Sequence, residues 1–171
     1  VDAVLPQVPL RQWVLALPPD LHARVSRDPV LEGALLRSFI AELERHLRTV
    51  TPTGARGRGG TVTFLQHFGS TLNLHVHFQT LALDGVYVPG PGADAPPVFL
   101  HAPEPTPDQV RALCERVAVR ARALVERRPF REPPEERVSP MFKVVGPPPE
   151  EVSNKRLHAR VDGFDLHAST A

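Results

Sequence analysis

His75, Val76 and His77 stand in the middle of a strand-like run from Leu72 to Leu83, and these paired imidazoles are the residues best suited to chemistry. Side chains alternate faces along a strand, so Asn73, His75, His77 and Gln79 share one face while Leu74, Val76 and Phe78 share the other. In-phase positions lie about 6 to 7 Å apart, and two neutral imidazoles at that spacing can converge on one divalent ion. A solvated sheet face would also explain histidines here. With the amide of Gln79 next in phase, the two readings weigh about equally on the residues alone.

The elements that must position this row read as α+β. Leu10 to Leu17 is a strand that ends at Pro18 and Pro19, where the amide donor is missing. Asp28 and Pro29 open a helix whose apolar residues Leu31, Leu35, Leu36, Phe39, Ile40, Leu43 and Leu47 recur at helical spacing. Thr51 to Gly60 breaks it. Thr61 to Phe68 is a strand before the histidine run, and Asp84 with Gly85 signals a hairpin into Val86, Tyr87 and Val88. Pro89 to Pro97 is a loop and Val98 to His101 a short strand. Thr106, Pro107 and Gln109 form a capped start for a second helix, with a stripe of Val110, Leu113, Cys114, Val117, Ala121, Leu124 and Val125. From Pro129 to Glu151 the chain is rich in proline, glutamate and arginine and reads as a linker or wrap, anchored at Met141, Phe142, Val144 and Val145. Leu157 to Ala168 is a final strand, bent at Asp162 and Gly163. The expected architecture is an antiparallel sheet of about five strands, with helices on one face and the polar row on the other.

Composition bounds the class. The 171 residues, 42% hydrophobic, suffice for one core, so residues 1–171 are expected to form one domain. One cysteine, Cys114, excludes a disulfide framework or a cysteine zinc site within the chain. No run approaches the roughly 20 apolar residues of a membrane span and no signal peptide is visible, so a cytoplasmic setting is the expectation. No glycine-rich phosphate loop follows a strand, which argues against a doubly wound nucleotide-binding fold.

The net charge of +1 says little about partners, but its distribution says more. Thr106 to Arg131 holds seven arginines, Arg116 and Arg120 among them, against three carboxylates. Arg56 and Arg58 sit in a glycine-rich loop. Guanidinium pairs with phosphate oxygens and glycine lets backbone approach, so these four arginines are candidate DNA contacts. A solvated helix face and a plain turn are the simpler explanations of each segment by itself.

The segments Val8-Pro9-Leu10-Arg11-Gln12-Trp13-Val14-Leu15, Thr61 to Ser70, Leu72 to Gln79, Leu83-Asp84-Gly85-Val86-Tyr87 and Asp162 to Ala168 together resemble the catalytic core of rolling-circle transposases of the insertion sequence 91 type. These are members of the histidine-hydrophobe-histidine (HUH) endonuclease superfamily. The resemblance implies metal-dependent cleavage and strand transfer of single-stranded DNA through a phosphotyrosine, with Mn²⁺ or Mg²⁺ as cofactor and single-stranded DNA as partner. In the relatives the metal-binding pair falls at His77 and Gln79, with asparagine where His75 stands. Here Gln79 replaces the second histidine. Either Gln79 ligates through its amide oxygen, or His75 and His77 form the pair, or the copy is decayed; all three keep His77. His167 is the candidate third ligand.

The resemblance also implies a zinc module upstream and a nucleophilic tyrosine downstream, so this chain is expected to be a fragment without its own nucleophile. Tyr87, the only tyrosine, follows the Asp84-Gly85 turn and reads as a packing residue. His67 and His101 read as surface residues near strand ends, and His22, His46 and His158 as ordinary exposed positions. A non-catalytic nucleic-acid-binding remnant is the alternative from another class. A cupin-like metalloprotein is a third reading, weakened because no glutamate follows between His77 and Tyr87.

Overall fold

The computed structural model describes residues 7–52, 56–69, 73–92, 94–128 and 157–170. The chain runs β1 (Leu10–Ala16), α1 (Pro19–Val25), α2 (Pro29–Val50), β2 (Thr61–Phe68), β3 (Leu74–Leu83), β4 (Gly85–Val88), β5 (Val98–His101), α3 (Pro107–Glu126), β6 (His158–Val161) and β7 (Phe164–Thr170). Five strands form one antiparallel sheet in the order β2-β3-β1-β7-β6, and β4 pairs with β5 in a second, two-stranded sheet. The fold is therefore α+β. The proposed linker from Pro129 to Glu151 and its anchor lie outside the described residues.

Both long helices start where the sequence places them, for visible reasons. Asp28 Oδ1 accepts the Leu31 amide at 3.0 Å ahead of Pro29, and Thr106 with Gln109 forms a reciprocal capping box ahead of Pro107. Their apolar stripes meet one face of the sheet. Trp13 and Leu15 of β1, Val76 and Phe78 of β3, and Phe164 and Leu166 of β7 pack there with Leu35, Phe39 and Leu43 of α2 and Leu113 and Val117 of α3. Fully burying each such side chain is worth about 1.5–3 kcal/mol, enough to fix which face turns inward. The opposite face, carrying His75, His77 and Gln79, remains half-buried.

Three features depart from the expectation. First, α1 is a short helix that the proline pair obscured. Antiparallel pairing continues one residue past β1, where the Leu17 amide donates to the Val76 carbonyl at 3.1 Å. Two residues on, the amide due to bond the Leu74 carbonyl would belong to Pro19, which has none. His22 fills the gap: its Nδ1 lies 3.0 Å from the Leu74 oxygen and its Nε2 2.9 Å from the Leu17 oxygen. His22 is buried, as is His46 on α2, so neither is the exposed residue expected.

Second, Asp84 and Gly85 do not make a hairpin. Neither residue has a positive φ, which the tight hairpin turn requires at both central positions, and β4 leaves the main sheet to pair with β5. A side chain at Gly85 is impossible there, since a Cβ would lie 2.1 Å from the Leu100 carbonyl oxygen.

Third, the final strand is two strands. Asp162 and Gly163, at φ 49° and 79°, form a two-residue turn between Val161 and Phe164, which are paired. That turn's twist matches the strands it joins.

Candidate functional site

β3 holds the polar row because its other face is committed to the core. Val76 and Phe78 are buried, so His75, His77 and Gln79 face away from α2 and α3. Register extends the row sideways. His77 lies opposite Ala16 of β1, which lies opposite Asp165 of β7; Gln79 lies opposite Val14, which lies opposite His167. His77 and Gln79 thus look across small or apolar side chains towards Asp165 and His167, about two strand spacings or 9–10 Å away. On the other side, Gln66 and Phe64 of β2 oppose His77 and Gln79.

Local hydrogen bonds set the chemistry of each group. His77 Nδ1 lies 3.0 Å from the carbonyl oxygen of His75. A carbonyl only accepts, so Nδ1 carries the proton and the Nε2 lone pair is left for a ligand, the arrangement usual for metal-binding histidines. The Gln79 amide nitrogen donates to Gln66 Oε1 at 2.7 Å and lies 3.5 Å from His77 Nε2. Turning both amides by half a rotation keeps their mutual bond, now donated by Gln66, and sets Gln79 Oε1 at that same distance. Two ligands bound at about 2.1 Å to one ion stand roughly 3.0 to 3.4 Å apart, so the His77–Gln79 pair has a suitable bite.

His75 occupies a different environment. It stacks on His22 with ring centroids 5.1 Å apart and meets His77 edge-on at 5.3 Å. Burial lowers its pKa, and His22 and His77 add to the effect, so its imidazole is held neutral. Both His22 nitrogens are committed to backbone oxygens. His167 is buried on β7, and the neighbouring Asp165 bonds His158 Nε2 at 2.7 Å. Among the described residues no three His, Cys, Asp or Glu side chains stand close enough to hold a metal ion. A third protein ligand from β7 therefore requires His167 or Asp165 to change rotamer. Gln66 and Asp165 were missed by the sequence reading, since only pairing across β2, β3, β1 and β7 brings them to the row.

The candidate DNA-binding arginines lie elsewhere. Arg116 Nε donates to Glu42 Oε2 at 2.9 Å, Arg120 Nε lies 2.8 Å from Glu42 Oε1, and Arg45 adds a third guanidinium. Glu42 is 1% exposed. Burial works to raise its pKa, but hydrogen bonds from Arg45 and Arg116 outweigh it and hold the carboxyl below its usual range. The cluster fastens α3 to α2 in the helical layer, on the other side of the sheet from His77, and keeps a net positive charge. Arg56 and Arg58 are exposed, and the Arg58 backbone exchanges two 2.9 Å hydrogen bonds with Tyr87. The Tyr87 ring packs on Phe99 of β5, with centroids 5.2 Å apart. No described helix is long and apolar enough to cross a membrane.

No family model matches the chain, and neither the curated proteins nor the solved structures compared with it yield a match.

Proposed function

We propose that this chain is the metal- and DNA-binding core of an HUH-type transposase, acting on single-stranded DNA and relying on a tyrosine from another segment. The observation that carries the reading is the His77–Gln79 pair: an unprotonated imidazole Nε2 and an amide end 3.5 Å apart, the amide paired with Gln66, on a sheet face turned away from α2 and α3. The donor set suits Mn²⁺ better than Mg²⁺, since imidazole favours the later metal. His77 and Gln79 would hold the ion with His167 or Asp165 opposite, and His75 is the alternative to Gln79. A bound ion would polarise the scissile phosphate.

The chain's own residues orient the ligands. The His75 carbonyl fixes the His77 tautomer, Gln66 holds the Gln79 amide in place in either orientation, and the exposed Arg56 and Arg58 offer phosphate contacts. Mn²⁺ titration calorimetry on the native chain and on His77→Ala tests the proposal. Heat that disappears in the variant supports it; equal binding by both removes His77 from the site.

A second reading is favoured by the absence of a three-ligand His, Cys, Asp or Glu cluster among the described residues: a nucleic-acid-binding remnant that takes no metal. It predicts no Mn²⁺ heat alongside salt-sensitive binding of single-stranded DNA, with a log–log slope of about 0.7 per phosphate contact. The cupin-like metalloprotein is the third reading, and it is less favoured than the other two because among the described residues the five-stranded sheet carries a helical layer on one face.

A further inference from the structure

The two edges of the main sheet differ sharply. β6 is four residues long and carries Arg160, two of the usual protections of an exposed edge. β2 is eight residues long, Thr61-Val62-Thr63-Phe64-Leu65-Gln66-His67-Phe68, with no acidic residue, lysine, arginine or proline. Val62, Phe64, Leu65 and Phe68 on it are 46%, 57%, 47% and 54% exposed. A long, uncharged, apolar edge with unused backbone groups is a template for another strand.

Register identifies those groups. The Leu83 amide donates to the Gly60 carbonyl at 3.0 Å, so stepping by two makes Val62, Phe64 and Gln66 the residues whose backbone turns to β3. Thr63 and Leu65, which precede the register shift between Gln66 and Phe68, turn their amides and carbonyls outward, and among the described residues no strand pairs with them.

We infer that β2 is the interface of a symmetric dimer of this chain, two β2 strands pairing antiparallel about Leu65. Pairing β2 with the β6 edge of another copy would bring in Arg160 and a strand half as long, and would leave an open chain of copies. Self-pairing instead closes on itself. It sets Leu65 against Leu65 and Phe64 against Gln66, with no like charges opposed, and covers exposed apolar side chains from both copies. The twofold axis runs through the sheet, so both polar rows face the same side of one ten-stranded sheet. The two His77 side chains then stand roughly 15 Å apart, three strand spacings with a small offset. The dimer does not depend on metal or DNA.

Sedimentation equilibrium of the purified chain at high micromolar concentration, with chelator present, tests this alongside Leu65→Lys. That substitution is at an exposed position and opposes two ammonium groups at the axis; circular dichroism verifies that it folds. A native dimer and a monomeric variant are expected, with the Thr63 and Leu65 amides protected from hydrogen exchange in the native chain alone. A native monomer overturns the inference, whether those amides are open or are protected by another segment of the same chain. So does a dimer that survives Leu65→Lys, and so do open-ended filaments. None of these outcomes bears on Mn²⁺ binding by His77, so the two proposals fail separately.

Discussion

Arg11 and Asp84 form a two-pronged ion pair inside the protein, Nε to Oδ1 at 2.8 Å and Nη2 to Oδ2 at 2.7 Å, with side chains only 4% and 5% exposed. The pair ties the start of β1 to the corner where the chain leaves β3 for the second sheet, and the Asp84 amide also donates to the Pro9 carbonyl at 2.8 Å. Removing one partner strands a buried charge. Asp84→Leu or Arg11→Met alone is expected to cost about 3–5 kcal/mol, while the double variant recovers a substantial part because no unpaired charge remains. Urea unfolding of the four proteins checks this, and additive losses would contradict it.

His46 makes stability depend on pH in a defined window. Burial against Trp13 lowers its pKa from 6.5 to about 4, with Arg116 and Arg45 adding to the effect. Between those values the unfolded chain takes up a proton that the folded chain refuses. Stability is therefore full above pH 6.5 and falls as pH drops towards 4, by about 1.4 kcal/mol per unit from this residue. His46→Leu should flatten that part of the native stability profile, measured by unfolding across the window.

Cys114 is expected to be inert in the folded state. Its Sγ lies 3.7 and 3.8 Å from the carbonyl oxygens of Ala159 and Phe164, and burial pushes the thiol up to about 11, with Asp165 adding to the effect. A thiol reagent at mildly alkaline pH should label it only as fast as the protein opens. Rapid labelling of the native chain would show that α3 does not seal against β6 and β7.

Gln66 should matter for metal and little for folding. It is exposed and holds the Gln79 amide at 2.7 Å. Gln66→Leu is expected to weaken Mn²⁺ binding by about 10-fold or more, as loss of an outer-shell partner does, with a stability change within about 0.5 kcal/mol. Unchanged affinity would favour His75 over Gln79 as the second ligand.

Tyr87 should not act as a nucleophile. Its ring is against Phe99 and its backbone is bonded on both sides to Arg58, in the second sheet. A suicide oligonucleotide with Mn²⁺, followed on a denaturing gel, should give no shifted protein band. A band that vanishes in Tyr87→Phe would overturn this assignment.

Local chemistry made much of the fold legible. Helix starts at Asp28 and Thr106 depend on neighbours three residues away. The alternation around Val76 and Phe78 depends on a period of two, and both survive any arrangement of the rest of the chain. The same dipeptide, Asp-Gly, shows where such reading ends. At Asp162-Gly163 the carboxylate stays at the surface, where Arg122 Nε donates to its Oδ2 at 2.7 Å without displacing the local turn, and a hairpin forms. At Asp84-Gly85 the carboxylate is drawn inward by Arg11, 73 residues away, and Gly85 lies against the Leu100 backbone, so the chain turns into a second sheet.

The polar row divides the same way. Strand periodicity alone placed His75, His77 and Gln79 on one face. That Gln66 pairs with Gln79, that Asp165 and His167 face the row across β1, that His22 closes the strand end against His75, and that Arg116 and Arg120 converge on Glu42 were decided only by tertiary pairing. The physical reason is range: a side chain's periodicity is written in its neighbours, whereas its partner is chosen by strand order and helix packing between residues far apart in the chain.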